Sequence, residues 1–95
     1  MIQTQQYVVV RIRTAGVHIG TLVEWEEQCV TLSNARRIWR WRGANTLHEV
    51  ALHGVDDDWS RISEAVDSIA LLDAIEVIPC ADSARTNLDL ARWGK

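Results

Sequence analysis

Residues 35 to 49 read ARRIWRWRGANTLHE, the stretch of the chain densest in side chains that can do chemistry. Arg36, Arg37, Arg40 and Arg42 fall within seven positions, interleaved with Trp39 and Trp41. A guanidinium fork pairs bidentately with phosphate or carboxylate, and an indole face stacks on a base, a sugar or a cation. Together they suit a flat, anionic ligand. Four like charges this close repel one another unless something neutralises them. A bound anion, the acidic run Asp56-Asp57-Asp58 or carboxylates of a neighbouring subunit can do so. The turn Gly43-Ala44-Asn45 follows, and Thr46 opens a helix whose free N–H groups attract anions. With Arg40 and Arg42 just upstream, a phosphate can be held from two sides. The candidate ligand-binding residues are therefore Arg37, Trp39, Arg40, Trp41, Arg42, Gly43, Asn45, Thr46 and His48. Two plainer readings compete. The arginines can be a solvated strand face over core tryptophans, with Asn45 or Thr46 merely capping a helix. Alternatively, the tryptophans and arginines mark a subunit interface, where both types concentrate.

Nothing else in the sequence spells out catalysis or a metal. His48 beside Glu49 is a conceivable acid–base pair that could cleave a phosphodiester. His53 follows His48 by five positions, not the four that set two metal ligands on one helical face. His18, His48 and His53 read as polar surface residues. Asp56-Asp57-Asp58 lacks the alternating ligands and the glycine of a calcium loop and reads as solvated. Cys29 and Cys80 stand 51 positions apart with no CxxC or zinc-type spacing, so they read as small buried hydrophobes with reduced thiols. No nucleophile motif or glycine-rich phosphate loop occurs. The expectation is a binding protein with no catalytic residues, no cofactor and no metal.

These residues must be positioned by one small domain, residues 1–95. The composition is globular, at 47% hydrophobic and 24% charged with one proline. A net charge of −3 argues against a nucleic-acid partner, which calls for a basic face. No signal peptide or membrane-length apolar run is evident, so a cytosolic protein is expected. A chain this short buries only somewhat more than ~60% of its unfolded surface, so a homo-oligomer would add stability. Tyr7 to Thr14 and Val17 to Glu26 predict a hairpin, with Gly20 marking a bulge or a close backbone approach. Cys29 to Leu32 predicts a short third strand closed by Ser33-Asn34. Arg37 to Trp41 predicts another strand, with Arg37, Trp39 and Trp41 on one face and Ile38, Arg40 and Arg42 on the other. Thr46-Leu47-His48-Glu49 fits a capping box for a short helix stopped by Gly54. Val55 to Ser60 predicts a solvated loop, and Ser63 to Leu72 fits helix or irregular strand equally. Ala74 to Ile78 predicts a strand. Ala81 to Trp93 predicts an amphipathic helix, with Asp82 or Ser83 as N-cap and Ala84, Leu88 and Ala91 inward. The fold class is α+β: a small, curled antiparallel sheet of about five strands, SH3-like or barrel-like, with one short helix and a C-terminal helix.

Three stretches carry a family resemblance: AGVHIGTL at 15–22, NARRIWRWRGANTL at 34–47 and AIEVIPC at 74–80. In that order they resemble a family of short, poorly characterised tailed-phage and prophage proteins bearing an ARRIW-x-W-x-GA motif and an AIE-[IV]-IPC motif. Members of that family often carry an aromatic where Arg40 stands and a less basic residue at Arg42, so this chain is more basic there. The resemblance implies a phage or prophage origin and expression in the cytoplasm of a bacterial cell, without a settled activity. Small phage proteins of this size often counter host defence, some by oligomerising and sequestering a nucleotide alarm signal between subunits. The expectation is thus a homo-oligomeric, non-enzymatic protein that sequesters an anionic small ligand of the cyclic dinucleotide or cyclic ADP-ribose type. Arg40 and Arg42 would meet phosphate, and Trp39 or Trp41 would stack on a base. The alternative is a virion accessory subunit or a protein that binds a host protein.

Overall fold

A computed structural model of the chain describes residues 3–14, 16–41, 46–56 and 60–90. The elements are β1 (Tyr7–Ile12), β2 (Gly16–Glu26), β3 (Cys29–Arg40), α1 (Leu47–His53), β4 (Arg61–Ile62), β5 (Val66–Leu71), β6 (Ala74–Pro79) and α2 (Asp82–Leu90). The six strands form one antiparallel sheet in the order β4-β3-β2-β1-β6, with β5 sharing the outer edge of β3 with β4. The fold is the expected α+β plan, with six strands in an open sheet whose edges are β6 on one side and β4 and β5 on the other. No helix among the described residues is long and apolar enough to cross a membrane.

The β-branched run Val8-Val9-Val10 is buried on both faces of the sheet. Tyr7 and Val9 join Val17, Ile19, Ile38 and Ile62 beneath Val50 and Ala51 of α1 and Leu88 of α2. Val8, Val10 and Ile12 face the other way, onto Leu22, Val30, Leu32 and Leu71. Among the described residues no helix contributes to this second core, so the sheet must curl to close over it.

Bulges supply that curl. The β2–β3 register shifts between Ile19 and Thr21 and again between Leu22 and Glu24. Asn34, at φ +48°, is the extra residue on β3 at the first shift, and Val23 is the extra residue on β2 at the second. Gly20 lies at the first bulge. A Cβ there would stand 3.0 Å from the Ser33 carbonyl oxygen and 3.2 Å from the Ala35 Cα, the close approach its sequence context predicted. Ser33-Asn34 does not end a strand. Those residues bend a continuous twelve-residue one, because Asn tolerates the left-handed backbone a bulge requires.

Other expectations are resolved or corrected. Within the ambiguous span from Ser63 to Leu72, Val66–Leu71 is a strand, zipped to β3 through Val30 to Ala35. The ends of the 55–60 loop are not solvated: Val55 and Ser60 are buried. Asp57 and Asp58 lie outside the described residues. In α2, Ala84 and Leu88 are buried as expected, and the first helical carbonyl to accept is that of Ala81, so neither Asp82 nor Ser83 is the N-cap. Ala91 and Trp93 lie outside the described residues.

Candidate functional site

The arginine–tryptophan strand divides its side chains among different tasks. Arg36 donates from Nε to the Ser63 carbonyl at 2.8 Å, from Nη1 to Leu88 O at 3.1 Å and from Nη2 to Ile62 O at 3.5 Å. It ties β3 to the end of β4, to Ser63 after it and to the last turns of α2, where the helix presents its negative end. Arg37 stands opposite His18 in register, and its guanidinium is exposed. Its backbone N–H donates to Ser63 Oγ at 2.8 Å. Arg37, His18, Ser63 and Glu64 border a shallow cleft of about 240 Å³.

Trp39 and Trp41 do not share a face, contrary to the alternation read from sequence. The β3–β4 register shifts between Ile38 and Arg40, which makes Trp39 the extra residue of a bulge and breaks the two-residue period. Ile38 is buried, and Trp41 packs against the same core cluster. Trp39 is left 50% exposed, with the Arg40 guanidinium 5.9 Å from its ring centroid. Arg42, Gly43 and Asn45 lie outside the described residues.

Trp41 does border an open groove of about 530 Å³, together with Arg11, Val17, Thr46, Leu47, His48 and Glu76. Here the end of β3 meets the first turn of α1, over a floor from β1, β2 and β6. Arg11 and Glu76 are register partners on β1 and β6, with Nη1 and Oε1 3.6 Å apart. Both side chains are substantially solvated, so their attraction is worth about 0–1 kcal/mol. Of the residues chosen from sequence, the groove gathers Trp41, Thr46 and His48. It does not take in Arg37, Trp39 or Arg40. Sequence reading missed Arg11 and Glu76. The alternation Val10-Arg11-Ile12-Arg13 signals an outward arginine, but only the β1–β6 register reveals its partner.

The start of α1 is not a vacant anion site. Glu49 Oε1 accepts from the Thr46 N–H at 2.7 Å and from Thr46 Oγ at 2.5 Å, realising the capping box. These hydrogen bonds from Thr46 hold the Glu49 carboxyl below its ordinary value. The chain's own carboxylate thus takes both donors of Thr46, which serves the groove as wall. The histidine expectation also needs correction: His18 is buried, while His48 and His53 are exposed. Among the described residues, no group of three or more His, Cys, Asp or Glu side chains is placed to hold a metal ion. Cys80 is half-buried against the first core, and burial pushes its thiol up to about 12 against the opposing pull of Arg85. It is therefore protonated and a poor nucleophile near neutrality. The groove offers an indole, a guanidinium, an imidazole and a carboxylate.

No curated protein and no solved structure is significantly similar to the chain. Residues 5–88, from the segment before β1 into α2, match the family described as Domain of unknown function (DUF6948), and the chain belongs to that family.

Proposed function

We propose that this is a non-catalytic, homo-oligomeric binding protein of phage or prophage origin that acts in the bacterial cytoplasm. It sequesters a small anionic ligand, a nucleotide immune signal of the cyclic dinucleotide or cyclic ADP-ribose type, and so counters host antiphage defence. The observation that carries the reading is the convergence of Trp41, Arg11 and His48 on one groove of about 530 Å³. That volume lies in the range of small-molecule sites. The indole stacks on a ring, while Arg11 and His48 supply N–H donors to acceptors on the ring and the phosphates. Sequestration needs tight binding without turnover, and the sequence carries no nucleophile motif or glycine-rich phosphate loop. The small size of the domain supports assembly into oligomers.

Calorimetry of the full chain against a panel of cyclic dinucleotides and cyclic ADP-ribose isomers tests the reading. At least one ligand is expected to bind with micromolar affinity or better and to be recovered intact after prolonged incubation. Arg11→Ala should weaken that ligand by ~1–3 kcal/mol, the range for losing a charged hydrogen bond. A panel with no binder defeats the proposal, and conversion of the ligand would make the protein an enzyme instead.

A further inference from the structure

We propose that the groove selects guanine over the other nucleobases, with Glu76 and Arg11 reading the edge of the ring; this rests on the nucleotide-binding reading above. The starting observation is that a carboxylate lines a groove read as binding an anion. A site for phosphate alone gains nothing from Glu76, whose charge repels the ligand. A site for a base with donors along its edge does gain.

Guanine presents an acceptor followed by two donors along one edge: O6, then N1–H, then the N2 amino group. The groove presents the complement side by side. Arg11 and Glu76 are held as register partners on neighbouring strands, so their side chains leave the same face of the sheet. Their mutual contact joins one Nη1 to one Oε1 at 3.6 Å, longer than a hydrogen bond. Among the described residues neither side chain has another polar partner, so the other N–H groups of the guanidinium and Oε2 are available. Arg11 donates to O6, and the two oxygens of Glu76 accept from N1–H and N2–H. Adenine and cytosine give the carboxylate a single amino group, and uracil gives it a single imino group. Guanine alone engages both oxygens. Trp41 lines the same groove and covers the ring face, leaving His48 to the phosphates.

The test is calorimetry of the full chain with cyclic di-GMP and cyclic di-AMP, which share charge and backbone and differ only in their bases. The guanine form is expected to bind at least ~10-fold tighter, the discrimination typical of one good bidentate pair. GMP should likewise outbind IMP, which lacks only the N2 amino group. Glu76→Gln replaces one acceptor by a donor and removes a negative charge. It should weaken the guanine ligand while leaving the adenine ligand unchanged or tighter, a pair of opposite effects that misfolding cannot produce. Equal affinity of the wild-type chain for both ligands overturns the base selection and leaves the nucleotide-binding reading standing. Parallel weakening of both by Glu76→Gln also overturns it, assigning Glu76 a structural role. Failure of every nucleotide to bind defeats both.

Discussion

Arg36 and Arg37 are neighbours with opposite fates. The Arg36 guanidinium meets three backbone carbonyls, contributed by Ile62 of β4, by Ser63 just after it and by Leu88 of α2. Replacing it with alanine strands those acceptors in a partly buried setting. Hydrogen bonds to a charged group contribute ~1.5–3 kcal/mol, so Arg36→Ala should lower unfolding free energy by about 2 kcal/mol or more. Arg36→Lys should recover little, because a single ammonium cannot span a three-carbonyl fork. Arg37→Ala, at an exposed side chain, should stay within about 0.5 kcal/mol of wild type. Urea titration of the three variants checks this, and equal losses at both positions would refute the division of labour. The sequence shows four arginines within seven positions, and strand alternation sets Arg37 apart from Arg40 and Arg42 without singling out Arg36 as the one that braces the fold. What sorts them is the position of Ser63 and Leu88, distant in the chain and adjacent only in the fold. Arg11 and Glu76 escaped notice for the same reason, since their partnership exists only in the β1–β6 register.

Local patterns made the hairpin of β1 and β2, the capping box at Thr46, strand β6 and the inward face of α2 legible, because each is decided by residues close together in sequence. The long strand β3 was less so. Ser33-Asn34 carries turn chemistry, and the same left-handed tolerance that closes a turn also serves a bulge. A second bulge at Trp39 then moved the tryptophans onto different faces, which no strict two-residue period can anticipate. Strand β5 was ambiguous because most of it is exposed and its one buried side chain, Leu71, leaves no periodic signature. The bulge at Gly20 gives a test at this scale. An added methyl would press on the Ser33 oxygen at 3.0 Å and the Ala35 Cα at 3.2 Å, both backbone atoms of a neighbouring strand that cannot swing aside. Gly20→Ala should therefore destabilise by ~1–3 kcal/mol, as overpacking does. If thermal denaturation finds it neutral, the two strands do not approach as closely as described.

Across the whole molecule, one sheet separates two cores, and the ionisable groups placed in the first make stability depend on pH at the alkaline end. Tyr7 is 8% exposed, with the Arg85 guanidinium 5.0 Å from its ring centroid. Its carbonyl accepts the Cys80 N–H at 2.9 Å. Burial, reinforced by Asp89 and Cys80 and opposed by Arg36 and Arg85, pushes the phenol from 10.0 up to about 12. Burial likewise pushes the Cys80 thiol from 9.0 up to about 12, opposed by Arg85. Both folded values exceed the unfolded ones, so the folded chain holds these protons more tightly than the unfolded chain does. Their contribution to stability is complete below about pH 9 and falls as the unfolded chain ionises first, to be lost by about pH 12. Few other side chains titrate in this window: the sequence has one tyrosine, two cysteines and, in Lys95, one lysine. The chemical-denaturation midpoint should thus hold from about pH 7 to about pH 8.5 and drop clearly by about pH 11. A Tyr7→Phe, Cys80→Ala double variant, though less stable at neutral pH, should show a much flatter slope because the two groups that carry the linkage are gone. A wild-type midpoint unchanged at pH 11, or a double variant as steep as wild type, would mean that the first core does not hold these two protons.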